Sequence, residues 1–286
     1  MPIITSFPPP LMKSTTLILT GLILTGLLAG CSVHKPASTT VLKPQAQAVP
    51  KMVYIPSLRL PGQLTVDNIL QDYSAHTSRK LNPYFAKANV SYPPREVTFI
   101  ALKQEKKLEL WARGTGEFRF IRDYDIKAAS GMAGPKLRQG DKQVPEGIYR
   151  IEGLNPNSHY HLSMKINYPN EFDLFHAEQE GRTAPGSDIF IHGKAASIGC
   201  LAMGDEAIEE LFVLTAQVGA ENVKVVIAPH DPRAYPLEAG SKALPHWTPE
   251  LYSRISREIK ALSPGIKSTK TGNNPLSAIT FLPKRE

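Results

Sequence analysis

Cysteine is almost absent from this chain: its 286 residues hold two, Cys31 and Cys200. A disulfide framework of the kind that staples small exported domains is therefore excluded. Long apolar runs are also missing. The longest, about Leu17 to Leu28, is broken by Gly and Thr and falls short of the roughly 20 residues that a membrane span needs. No internal repeat of solenoid type is visible. The formal charge of +7 is scattered, without the aromatic-interleaved basic motifs of nucleic-acid binders, so no nucleic-acid partner is expected. A basic surface instead suits anionic partners such as peptidoglycan carboxylates or lipid head groups.

What is present begins at the N-terminus. Lys13 precedes the apolar stretch, which ends in Leu28-Ala29-Gly30-Cys31. A basic residue, an apolar core and small residues before a cut make a secretory signal peptide. The last four residues resemble a bacterial lipobox, in which the first mature residue, here Cys31, receives a diacylglycerol. Met12 is a second candidate start, because residues 1–11 are proline-rich. Lipidation of Cys31 leaves Cys200 without a partner, as either a buried inert residue or a reactive thiol.

The rest divides by texture. Residues 1–30 are read as signal peptide with lipobox and 31–64, rich in Pro, Ala, Thr and Lys, as a flexible tether. Residues 65–94 form a helical segment opening at Thr65-Val66-Asp67 and closing before Pro93-Pro94. Residues 95–232 alternate short apolar runs with charged or Gly-containing turns, the pattern of strands. KLELW and EFRFI fit a hairpin around Gly114-Thr115-Gly116, and Asn155 and Asn157 read as turn formers. AIEELFVLTAQV has helical spacing, with Asp205 as its cap and Gly219 past its end. Residues 233–286 are a C-terminal extension with one helix and a flexible tail.

One stretch carries chemistry: Ile189-Phe190-Ile191-His192-Gly193-Lys194-Ala195-Ala196-Ser197-Ile198-Gly199-Cys200. A thiolate attacks carbonyls and a thiol hardly does, so a nucleophilic Cys needs a nearby imidazole or oriented amide donors. His192 at a strand end and Cys200 before a helix can face each other across a tight loop. Backbone N–H groups of Ile198, Gly199 and Cys200 would then surround the sulfur as an oxyanion hole. Spacing alone leaves this reading level with its rival, a buried strand followed by an ordinary loop. His159 and His161, on one strand face, raise zinc as another mechanism, with His176 or His230 as third ligand; no complete ligand set is apparent, and no metal or other cofactor is expected.

The pattern IHG…SxGC resembles the YkuD-type L,D-transpeptidases. Residues 129–173 and SIGCLAMGDEAIEELF are similar to that family's YafK-like branch, and Val144-Pro145-Glu146-Gly147-Ile148-Tyr149 matches its Thr-Pro-x-Gly-aromatic segment. Three departures stand out: Ile198 replaces a second His, Ala202 replaces an Arg, and the His-to-Cys loop is short. All three fit the YafK-like branch. The resemblance implies a mainly β (α+β) fold, a YkuD-like β-sandwich with a few peripheral helices. It makes Cys200 the nucleophile and His192 the base, with Ser197, Gly199 and Gly193 shaping the loop. Since Ala202 cannot grip a carboxylate, Arg182 is the candidate replacement. Tyr149, Tyr160 and Trp111 are candidate cleft walls, although aromatic residues in strands more often face the core.

The implied reaction passes through a thioester on stem-peptide amide bonds at diaminopimelate. The branch includes an amidase that detaches an outer-membrane lipoprotein from peptidoglycan, so hydrolysis of that linkage is expected. Cross-linking, D-amino-acid exchange and a non-catalytic peptidoglycan-binding lipoprotein are the alternatives. The expected partners are peptidoglycan stem peptides, that lipoprotein, and the membrane reached through the lipid anchor. The expected location is the bacterial cell envelope, lipid-anchored and periplasm-facing, with Ser32 pointing to the outer membrane.

Overall fold

Val97-Thr98-Phe99-Ile100-Ala101-Leu102 has no polar face to turn outward, and a strand made of it must be covered on both sides. In the computed structural model, which describes residues 63–238 and 244–263, this run is β1 (Glu96–Leu102), buried from Val97 to its end. The signal segment, Cys31, most of the tether and the end of the C-terminal extension lie outside the described residues.

A helix, α1 (Val66–Lys87), precedes β1. Thr65 accepts from the Asn68 N–H and the Asn68 side chain returns the bond, closing a capping box. After β1 come β2 (Lys107–Arg113) and β3 (Arg119–Asp125), an antiparallel hairpin with a register shift at Leu110/Trp111. The short β4 (Ala128–Ala129) leads to β5 (Gly147–Ser158) and β6 (His161–Ile166). Then follow α2 (Glu171–Gln179), β7 (Phe190–His192), β8 (Leu201–Ala202), α3 (Asp205–Val218), β9 (Val223–Ala228) and α4 (Thr248–Leu262).

Among the described residues the strands join in one mixed sheet, ordered β3-β2-β1-β9-β5-β6-β7-β8-β4. The content is mainly β with few helices, as expected, and the two halves of the sheet are joined through β5. Its first residues, Gly147 to Arg150, pair with β9, while Ile151 onward pairs with β6. One long strand thus serves both halves, and their inner faces share a core. Phe99, Leu110, Val225, Met164 and Ile191 meet there around Ile208, Leu211 and Phe212 of α3. Each such side chain contributes about 1.5–3 kcal/mol by leaving water. That makes α3 a core element rather than a peripheral one.

Strand alternation covers the other face as well. Ile100, Leu102, Val226 and Ala228 point away from that core and pack beneath Trp247 and, from α4, Leu251, Tyr252, Ile255 and Ile259. Trp111 joins this second cluster, so it is a core residue and not a cleft wall. Asn155 and Asn157 fall within β5 near a second register shift. Asn155 still makes a turn-type bond, accepting from the Asn157 N–H at 2.9 Å.

Candidate active site

Parallel pairing of β7 with β8 places the two candidate side chains. Ile191 lies opposite Leu201 and His192 opposite Ala202, so Cys200, one residue before β8, falls level with Phe190. Ile191 and Leu201 are buried in the core, and alternation turns their neighbours Cys200 and His192 together to the other face. The Cys200 thiol donates to the Asp188 carbonyl oxygen, 4.0 Å from Sγ. Both line one cleft of about 610 Å³, with Lys136, Tyr160, Asp188 and Ile198.

The imidazole is held from both sides. His192 Nδ1 sits 2.6 Å from the Gly193 carbonyl oxygen, which can only accept, so Nδ1 carries the proton and Nε2 keeps its lone pair. The Tyr160 ring lies 4.5 Å from the His192 ring. Gly193 is required by crowding: a Cβ there would stand 2.6 Å from the Tyr160 carbonyl oxygen and 2.7 Å from Asp205 Oδ1. Asp205 is not the cap of α3. The N-cap is Gly204, without a side-chain bond. The Asp205 carboxylate instead accepts from the Lys194 N–H at 2.8 Å, tying the helix start to the loop after His192.

Ser197 fixes the other end of that loop. Its hydroxyl donates to the Cys200 carbonyl at 2.7 Å and accepts from the Gly199 N–H at 3.3 Å. Its oxygen also accepts from the Ser130 N–H at 3.3 Å. The Gly199 N–H is thus engaged within the loop, so of the three backbone donors expected from the sequence this one is already committed. Gly199 has φ of +128°, a conformation that glycine adopts without strain. Ile198 is 74% exposed at the cleft rim.

Burial sets the protonation states. It pushes the Cys200 thiol up, while a backbone contact at Phe190 and the Lys136 ammonium pull it down and Asp188 adds to the rise. Burial lowers His192, with the Gly193 carbonyl acting in the opposite sense. Both shifts favour neutral forms. A thiol and a neutral imidazole thus share the cleft.

The other predicted residues separate. Tyr160 reaches the cleft, but Tyr149 is 1% exposed within the core, where its hydroxyl donates to the Glu146 carbonyl at 3.2 Å. Arg182 is committed elsewhere, its Nε to Glu180 at 2.7 Å and a terminal nitrogen to the Leu137 carbonyl at 2.7 Å. It is absent from the cleft lining. The four histidines weighed for zinc have separate surroundings: His161 is 2.8 Å from a Glu209 carboxylate oxygen, and His176 stacks on Trp247. His159 lines the cleft, and His230 lies against the Asp231 carbonyl. Among the described residues no group of three His, Cys, Asp or Glu side chains is arranged to hold a metal ion.

Sequence reasoning missed Lys136 and Asp188 in the cleft wall. A lysine in the turn-rich Gly134-Pro135-Lys136 reads as a solvated surface residue, and only burial distinguishes it.

Residues 96–227 match the family model of the L,D-transpeptidase catalytic domain, YkuD. Over 132 residues the chain is 37% identical to YafK of Escherichia coli strain K12, which covers 44% of this chain and 51% of YafK. The chain therefore spans about half the length of the curated relatives it matches. Among solved structures, the helical cell shape determining protein Pgp2 from Campylobacter jejuni is 21% identical over 54% of this chain and 55% of that one, with a TM-score of 0.39. L,D-transpeptidase 1 from Mycobacterium tuberculosis is 9% identical over 46% and 62%, with a TM-score of 0.28. Residues 96–227 thus carry the match to the YkuD L,D-transpeptidase catalytic domain, the region over which the chain is also similar to YafK.

Proposed function

We propose that this protein is a peptidoglycan-active cysteine enzyme that cleaves a stem-peptide amide at diaminopimelate through a thioester on Cys200. The observation that carries the reading is the pairing of β7 with β8, which turns Cys200 and His192 to one face and into one cleft. In the reaction, Sγ attacks the amide carbonyl as His192 Nε2 takes the thiol proton. Backbone N–H groups at Ile198 and Cys200 meet the oxyanion. Collapse breaks the C–N bond, and His192 returns the proton to the departing amine. Water then attacks the thioester with His192 as base, releasing a carboxylic acid and restoring the thiol.

The bond cleaved is the one joining an outer-membrane lipoprotein to peptidoglycan. Lipidation of Cys31 would hold the enzyme at the membrane, on the periplasmic side, within reach of that bond. An amine in place of water gives transpeptidation, the reaction for which the matched family is named. Incubating purified protein with sacculi that carry covalently bound lipoprotein tests the reading. Released protein and muropeptides are followed by mass spectrometry, with Cys200→Ala as control. Release that depends on Cys200 supports the amidase. New diaminopimelate cross-links or exchanged D-amino acids replace it with the transpeptidase, and no Cys200-dependent product replaces it with a binding module.

A further inference from the structure

Lys136 is a buried cation in the wall of the reactive cleft. It is 6% exposed, whereas Lys142, the other lysine of the lining, is exposed to solvent. Burial of an ammonium is costly unless its donors are met. Lys136 Nζ donates to the Arg138 carbonyl at 2.9 Å and to Asp141 Oδ1. An ammonium has three donors, so these bonds leave one.

Asp141 does not cancel this charge completely. Its two carboxylate oxygens also accept from the N–H groups of Leu137, Arg138 and Gln143, which spread its negative charge over the loop. A glycine makes room for the end of the lysine side chain. Gly186 has φ of +107°, and a Cβ there would stand 2.9 Å from Lys136 Cε and 3.4 Å from Nζ. The charge is felt at the nucleophile, since Lys136 favours the Cys200 thiolate. Asp188, the acid of the same lining, is drawn toward Lys165 at 3.3 Å and accepts from the Ser187 hydroxyl.

We propose that Lys136 is the specificity-determining residue of the cleft, taking a carboxylate of the bound peptide on the donor that its two protein partners leave unused. Arg182 and Ala202 are unsuited to that task, the first by its commitments and the second by its chemistry. The ligand class rests on the peptidoglycan reading above: diaminopimelate carries a free carboxylate at the centre away from the peptide backbone.

Alkylation of Cys200 tests the cation without assuming a substrate. Rates with iodoacetate and with neutral iodoacetamide are followed at the Cys200 peptide by mass spectrometry, and their ratio cancels any change in thiolate fraction. Lys136→Met is expected to lower the iodoacetate-to-iodoacetamide ratio about tenfold, the scale of one charge-assisted hydrogen bond, and Lys136→Arg to restore most of it. An unchanged ratio in Lys136→Met overturns the proposal. Should that variant fail to fold, Lys136→Gln is measured in its place, with the same two outcomes. The wild-type protein is then given a diaminopimelate tripeptide amide with the free carboxylate or its carboxamide. Preference for the carboxylate in KM by tenfold or more, lost in Lys136→Met, is expected. Equal KM values overturn the proposal. Turnover of neither peptide counts against the peptidoglycan reading alone, and the alkylation ratio still decides the role of Lys136.

Discussion

Replacing Gly193 with Ala separates a packing requirement from a conformational one. The position follows His192, and its φ lies outside the left-handed range, so alanine meets no backbone penalty. The cost comes from space. The added methyl would stand 2.6 Å from the Tyr160 carbonyl oxygen, 2.7 Å from Asp205 Oδ1 and 3.1 Å from His161 Cβ. The Asp205 carboxylate can swing away, at the loss of its bond to the Lys194 N–H, worth about 0.5–1.5 kcal/mol or more for a charged acceptor. The Tyr160 carbonyl belongs to the backbone and must move with the β5–β6 turn. Overpacking of this kind costs about 1–3 kcal/mol, so the combined loss is about 2–4 kcal/mol. In a domain of this size each kcal/mol lowers Tm by about 2–4 °C, and a fall of roughly 4–16 °C follows. Gly153→Ala is the control, since a Cβ there meets nothing within 4 Å. Thermal unfolding of both variants, read with the rate of Cys200 alkylation, checks the argument. Gly193→Ala should lose stability and shift His192 against its Tyr160 wall, while Gly153→Ala should be neutral or slightly stabilised. Equal Tm values for the two would refute crowding as the reason for Gly193.

Removing the Ser197 hydroxyl should loosen the loop that presents Cys200; Ser197→Ala is expected to lower stability by about 1–2 kcal/mol, measured by urea unfolding. Tyr252→Phe takes a donor, 3.0 Å away, from the fully buried Glu146 and should cost about 1–3 kcal/mol in the same assay. Burial raises the Asp173 carboxyl from 3.8 to about 6. A raised folded-state value means that its stabilising contribution is complete below about pH 4 and is lost as pH rises through 6. Wild type should therefore gain on Asp173→Asn by an amount on the order of 2–3 kcal/mol between pH 7 and 4, read from paired denaturation curves. Cys200 alkylation by iodoacetamide should rise with pH beyond the ordinary thiol range, because burial holds the proton on sulfur; a plateau already reached at pH 7 would contradict the neutral pair.

Periodicity made the strands and α3 legible, because alternation and helical spacing report which side faces the core. It said less about how strands share partners. That β5 changes partner from β9 to β6 at Ile151 depends on pairing distant in sequence, which periodicity does not report. The motif around His192 and Cys200 was legible for a similar reason: a short loop between adjacent parallel strands brings its two ends to one face. Side chains in contact with the cleft from afar were harder. Tyr149 lies in the core and not at the cleft, since a strand aromatic looks the same whichever face is buried. Arg182 and Lys136 exchange places in the account because a salt bridge to Glu180, and a buried bond to Asp141, leave no trace in residue type.

The most direct measurement is the intact mass of the protein, quenched in acid during turnover of sacculus-derived peptides. The account predicts a stem-peptide adduct that maps to Cys200, disappears with hydroxylamine and is absent from Cys200→Ala. Product formation by Cys200→Ala at the wild-type rate, with no adduct on the wild-type protein, would contradict it.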